Sequence, residues 1–315
     1  MQDEQKKPFF ILSTSDIGAG KSGAAGGPVA VKDQAESLGI VINEFELVNT
    51  GTMLTHNMPH DYGKHIEDVV EAMNRLNDKV SQTIAKQRFP IILSGDHSNA
   101  IGGLSGLKNT FADKRIGVIW IDAHADLHSP YTTPSGNIHG MPLAALAGLD
   151  HDNLKRNNVD EVTAYYWNEL KHLGYHHVSP KFDLKDLVLI GVRDAEDEEW
   201  NIIENSGVKT FTPDDIRAIG MEQVINETLL YLNDCDLLYV SFDADSLDPT
   251  ISTGTGTTAP DGLSIAQAEL IFGQLMQHPK TGVFEITEVN PSLDTEGKAM
   301  AAVIAGLLSK GLSAQ

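Results

Sequence analysis

Cysteine is almost missing from this chain: Cys235 stands alone among 315 residues. A lone thiol excludes an internal disulfide framework and points to a reducing compartment. Cys235 itself reads as a small buried residue at the start of a strand. Positive charge is scarce too. Lys and Arg total 23 against 44 Asp and Glu, a formal net charge of −21. Such a chain makes a poor partner for nucleic acid or an anionic membrane surface, and suits a cationic substrate or metal ions. No apolar run approaches the roughly 18 residues of a membrane-spanning helix. Phe9-Phe-Ile-Leu12 is too short for a signal-peptide core and lacks a cleavage pattern, so a cytoplasmic protein is expected. Internal repeats, low-complexity segments and linker-like stretches are also lacking, and one domain over 1–315 is expected.

What the chain does have is a regular alternation of short apolar runs with helical patterns. Apolar strands are expected over 8–14, 40–47, 90–93, 117–121, 187–192, 237–242 and 283–286. Helices are expected from near Pro28, over 99–111 and 221–232, and over 294–309. Ile66, Val69, Val70, Met73, Leu76, Val80 and Ile84 share one face of a long amphipathic helix. Ser264 opens another helix, with Gln267 completing a capping box. Residues 150–186 are polar and read as an excursion with helical pieces near 159–173. Continuous apolar strands alternating with helices predict an α/β protein, a three-layer αβα arrangement around a central parallel sheet.

Sites in such sheets form outside the carboxyl ends of the strands. Five successive strand ends here carry acids and histidines: Asp96-His97, Asp122–Asp126, Asp194–Glu199, Asp243-Asp245 and Glu288. Strict alternation puts Asp122, His124 and Asp126 on one side of an extended backbone. Together, His97, Asp122, His124, Asp126, Asp243 and Asp245 form a set of metal ligands. Two divalent cations would balance their four carboxylates, and oxygen-rich donors with two imidazoles suit Mn²⁺ better than a thiolate-seeking metal, with Zn²⁺ or Fe²⁺ as the alternatives. Such a pair can lower the pKa of a shared water for attack on an electrophilic carbon. The acidic run at 194–199 also fits a solvated helix start.

Gly18-Ala-Gly-Lys-Ser-Gly23 matches a dinucleotide fingerprint and nearly matches a P-loop. Both readings need a helix to open inside the motif. The intervening Gly23-Ala-Ala-Gly-Gly-Pro28 delays it, so a flexible loop near a site is expected.

Three motifs resemble the metal motifs of the ureohydrolase superfamily, which holds arginases, agmatinases and formimidoylglutamases. They are Ser94-Gly-Asp-His-Ser98, Asp122-Ala-His-Ala-Asp126 and Ser241-Phe-Asp-Ala-Asp-Ser-Leu-Asp-Pro249. Thr132-Thr-Pro-Ser-Gly-Asn-Ile-His-Gly140 is similar to the arginase branch in particular. Gly191-Val-Arg-Asp194, Thr255-Gly-Thr257 and Glu288-Val-Asn-Pro291 resemble it as well. The resemblance implies an arginase-like fold and a binuclear manganese hydrolase that releases urea from L-arginine. It implies one metal at His97, Asp122, Asp126 and Asp243, and a second at His124, Asp122, Asp243 and Asp245. Asp126 would belong to the catalytic centre with His139 and Glu288. His139 matches a proton shuttle, and Glu288 a carboxylate that holds the guanidinium. His128, Ser135, Asn137, Glu196, Glu199 and Thr257 match substrate-contacting positions. A homo-oligomer, trimer or hexamer, is implied too.

The chain departs from the arginase pattern where it has His128 in place of Asn, Glu196 in place of Asp, and Ser94 in place of the first of two glycines. The alternative is therefore a ureohydrolase acting on another guanidino or formimino substrate. A zinc deacetylase of related fold would need only one metal. A nucleotide-dependent oxidoreductase would rest on the glycine loop alone.

Overall fold

Runs such as Ile116–Ile121 and Leu187–Ile190 are buried along their whole length. Only a sheet covered on both faces offers such a strand nothing but apolar neighbours. The structure is a computed structural model that describes residues 7–40, 42, 45–48, 60–295 and 299–313. Its strands are β1 (Pro8–Ser13), β2 (Phe45–Val48), β3 (Phe89–Ser94), β4 (Ile116–Ile121), β5 (Leu187–Ile190), β6 (Lys209–Phe211), β7 (Leu237–Asp243) and β8 (Thr281–Thr287). They form one parallel sheet in the order β2-β1-β3-β8-β7-β4-β5-β6.

Ten α-helices are found among the described residues: α1 (Gly27–Ser37), α2 (Ile66–Ala85), α3 (Asn99–Thr110), α4 (Pro142–Leu146), α5 (Glu161–Lys171), α6 (Asp197–Ser206), α7 (Pro213–Ile219), α8 (Met221–Tyr231), α9 (Ile265–Leu275) and α10 (Ala299–Ser313). Period-two alternation divides the core. Ile119, Ile121, Val188 and Ile190 pack with residues of α1, α7, α8, α9 and α10. Val118, Trp120, Leu187 and Leu189 pack on the other face with α2, α3, α4 and α6. This is the expected three-layer arrangement. A third cluster joins α2, α4 and α5 through Met73, Ala144 and Trp167.

Some elements differ from expectation. The strand expected over 40–47 is described only as β2, while 41, 43 and 44 lie outside the described residues, as does Pro59 in the loop that follows. The last helix starts at Ala299 rather than near 294. Asp294 instead accepts a hydrogen bond from the Met300 N–H at 2.8 Å. α1 opens only at Gly27, behind a short 3-10 turn over Ala24–Gly26. The Gly18–Gly23 loop therefore does not run into a helix as a phosphate cradle requires.

The sheet order has a direct consequence for the site. The five strands with loaded ends are β3, β8, β7, β4 and β5, and they are neighbours across the sheet. Residues scattered from 96 to 288 in sequence therefore meet at one edge.

Candidate active site

His97 leaves the end of β3 at the base of the cluster. Its Nδ1 lies 3.0 Å from Asp122 Oδ2 and 3.1 Å from both Asp126 Oδ2 and Asp243 Oδ2. That nitrogen is buried and lines up with no hydrogen-bond acceptor. It faces a point shared by three oxygens, as a metal ligand does. The other ring nitrogen explains why. His97 Nε2 is 2.8 Å from Ser241 Oγ, and Ser241 Oγ in turn donates to Glu285 Oε2 at 3.1 Å. Ser241 therefore accepts from Nε2–H, which leaves Nδ1 with a free lone pair. Glu285 is fully buried and is also held by Tyr239 and Ser94.

A second group lies beside the first. His124 Nδ1 is 3.4 Å from Asp122 Oδ1 and 3.1 Å from Asp245 Oδ2. Asp122 thus offers one oxygen to each imidazole. The ligand atoms of His97, Asp122 and Asp243, and those of Asp122, His124 and Asp245, lie within 4.8 Å of one another. All six expected ligands come together. Asp243 sits nearer the His97 group, although the family resemblance has it bridging both.

Electrostatics show how unbalanced the cluster is by itself. Burial and the neighbouring carboxylates push Asp243 well above the ordinary range, and burial lifts Asp245 to about 6. Burial opposes charge on His97 and His124, but the facing carboxylates raise both. Asp122 goes the other way: burial raises it, and the two imidazoles pull it below the usual range. A donor set of this kind, with a buried unpartnered imidazole nitrogen, fits divalent cations.

Asp126 and Glu288 adopt left-handed backbone conformations, with φ of 52° and 60°. Such strain in non-glycine residues collects at functional sites. Glu288 accepts the His97 N–H at 3.0 Å and faces His139 Nδ1 at 3.1 Å through the same oxygen. Burial disfavours a charged His139, but Glu288 more than offsets this and lifts it to about 9. The glycine loop backs this pair: the His139 N–H donates to Gly18 O, and the Gly18 N–H donates to Asp96 Oδ2. A Cβ on Gly18 would come within 2.7 Å of Ser98 Oγ, so the loop packs closely there. Asp96 thus serves the loop and not the ligand cluster.

A cavity of about 250 Å³ opens above the cluster. His97, His124, Asp126, Asp243, Asp245, His139 and Glu288 line one part of it; His128, Ser135, Asn137, Glu196, Glu199 and Thr257 line the rest. Every expected substrate-contacting residue therefore reaches the same cavity. Its distal end is strongly polar. His128 Nε2 is 3.2 Å from Glu196 Oε2 and 3.7 Å from Glu199 Oε2. His128 draws Glu196 down to about 2, while burial and Glu196 drive Glu199 up. The acidic run is indeed a helix start, with Glu196 and Glu199 forming the capping box of α6. Yet Glu199 is buried and faces the cavity, so the run serves both purposes.

Sequence reasoning passed over the residues behind the ligands. Trp120 stacks on His97 and donates its indole N–H to Asp122 Oδ2 at 3.0 Å. Glu285 was visible as the one acid inside the apolar run Val283-Phe-Glu-Ile286.

A parallel sheet whose adjacent strand ends gather two imidazoles and four carboxylates at the base of one cavity defines the ureohydrolase class of α/β proteins. The arginase family model matches residues 9–312, and the chain belongs to the arginase family. It is 34% identical over 305 residues to the arginase of Bacillus subtilis (strain 168), covering 94% of this chain and 96% of that one. Among solved structures, it is similar to the native arginase of Bacillus caldovelox, with a TM-score of 0.83 and 33% identity over 98% of this chain and 99% of that one. It is also similar to Entamoeba histolytica arginase in complex with L-ornithine, with a TM-score of 0.81 and 25% identity over 98% of each chain.

Proposed function

We propose that this protein is an arginase that hydrolyses the guanidinium group of L-arginine to L-ornithine and urea, with two divalent cations, manganese by the donor set, as cofactors. The observation that carries this reading is the pair of imidazole–carboxylate groups sharing Asp122 at the base of the cavity. Support comes from arginases at 33–34% identity over nearly the whole chain. The solved ornithine complex of a similar protein adds to it.

His97, Asp122, Asp126 and Asp243 would hold one cation, and His124, Asp122, Asp243 and Asp245 the other. Bound there, the cations would offset the carboxylate charge and lower the pKa of water for attack on the guanidinium carbon. Glu288 lines the cavity next to them, where its carboxylate can pair with the planar guanidinium. His139, raised to about 9, carries a proton at neutral pH and can deliver it to the leaving amine. Ser135, Asn137, His128, Glu196, Glu199 and Thr257 would take the amino-acid end of the substrate. The chain 1–315 would work as one catalytic domain. Family resemblance supports a cytoplasmic homo-oligomer, trimer or hexamer, with no nucleic-acid or membrane partner.

The contact of His128 with Glu196 alters the distal end of the cavity, which keeps a second substrate class in view: another guanidino or formimino compound. Urea release with Mn²⁺ supplied, assayed on arginine, agmatine and guanidinobutyrate, decides between them. Urea and ornithine from arginine, with two metals per chain, is the expected result. Urea from another guanidine alone would move the substrate, and one bound metal with no urea would sink the dinuclear reading.

A further inference from the structure

The excursion after α4 sends one short segment back against the cavity. Asn157 Nδ2 donates to Pro130 O at 2.9 Å and to Thr133 O at 2.7 Å. The backbone N–H groups of Arg156 and Asn157 both donate to Tyr131 O at 3.0 Å. Four hydrogen bonds from two residues therefore hold the carbonyls of Pro130, Tyr131 and Thr133 in the loop after β4. That loop carries the distal end of the cavity. Thr132 Oγ1 lies 3.1 Å from His128 Nδ1 and accepts the Ser129 N–H. Thr133 Oγ1 accepts the N–H groups of Ser135 and Gly136. On the opposite wall, the Arg156 guanidinium reaches Glu198 at 2.5 Å, in the first turn of α6 between Glu196 and Glu199.

The geometry points to Arg156 and Asn157 as a brace that ties the two walls of the distal pocket together and so sets affinity for the amino-acid end of the substrate. This rests on the arginase reading and extends it. Asn157 is not itself part of the cavity lining and touches no metal-ligand candidate; it acts through Thr133, which does line the cavity, so it is a positioning residue. Loops hold geometry poorly unless their carbonyls and amides are tied down. Here the tie comes from a segment more than 20 residues away in the chain.

The test uses the full chain loaded with Mn²⁺. N157A is expected to raise the KM for L-arginine about tenfold, from the loss of two hydrogen bonds at the loop. Its kcat should stay within about twofold of the wild type, because the reacting end is untouched. N157D keeps the size but has no amide N–H, and it should behave like N157A. R156A alters an exposed side chain and should raise KM about threefold, as expected for one lost ion pair. Metal stoichiometry should not change in any of them. Unchanged KM in N157A and N157D would overturn the brace. So would a fall in kcat and thermal stability without a rise in KM, since that pattern marks a merely structural role. If the wild type releases urea only from another guanidine, the arginase reading fails, and the brace is read from the KM of that substrate in the same variants.

Discussion

The Trp120 indole lies flat against the His97 imidazole, with ring centroids 3.9 Å apart and planes 7° from parallel. The same indole donates its N–H to Asp122 Oδ2. One side chain of β4 therefore fixes the plane of one candidate ligand and the rotamer of another. Trp120→Phe would keep an aromatic face under His97 and remove the hydrogen bond to Asp122. Outer contacts of this kind are worth about 10–100-fold in metal affinity. W120F should bind Mn²⁺ at least about tenfold more weakly. Chelator competition checks this, and equal affinity in the two proteins would contradict the role given to Trp120.

His139 shares Glu288 Oε1 with the His97 backbone N–H. Its Glu288 contact outweighs burial, so its folded pKa of about 9 lies above the ordinary value. The sign follows directly: His139 is a proton donor at neutral pH and loses that role as pH rises through about 9. His139→Asn should lower kcat by about 10²–10⁴-fold, the usual worth of a positioned acid. Two metals should remain bound, because no metal-ligand candidate is removed. The variant should also lose any limb of the kcat profile near pH 9. A steady-state pH series on both proteins measures this, and a variant profile that keeps that limb would assign it to another group.

The outline of the fold was legible because buried parallel strands are continuous apolar runs, as in Ile116–Ile121 and Leu237–Asp243. β6 was not legible: Lys209–Phe211 is three residues long and only Phe211 is buried. The ligands were legible because alternation at a strand end is a local signal, as with Asp122, His124 and Asp126. Their supports were not. The contact of Glu285 with Ser94 spans 191 positions, and no local pattern encodes it. Asn157 was equally silent, an ordinary loop residue until the fold brings it to Pro130 and Thr133.

The excursion has its own anchor at the start of α5. Asp160 Oδ1 accepts the N–H groups of Val162 and Thr163 at 3.0 and 2.9 Å, and its Oδ2 accepts from Thr163 Oγ1. Burial works against its charge, but these bonds bring Asp160 down to about 2. Asp160→Ala removes an N-cap and should cost about 1 kcal/mol. Thermal unfolding should show a fall in Tm of about 2 °C, with Asp160→Asn milder because it still caps. No change in D160A would mean that α5 is held by its packing alone.

Lys181, in the segment between α5 and β5, couples stability to pH through burial. The side chain is buried, with 2% exposed, and its Nζ donates to Lys171 O and Val178 O without a carboxylate partner in either bond. Burial, helped by Lys108, pushes it down to about 7. In the unfolded chain it titrates at about 10.4. Between these values the unfolded state binds more protons than the folded one, so this residue adds stability as pH rises from about 7 to about 10. Below pH 7 both states are protonated and the cost of a buried charge is fully felt. Lys181→Met removes that dependence while keeping most of the side-chain volume. It also leaves two carbonyls without a donor, so its stability at pH 10 should lie below that of the wild type. Unfolding of both proteins in denaturant across pH 7–10 gives the difference directly. The wild type should gain on K181M as pH rises, and parallel curves would show that Lys181 stays charged in the folded protein.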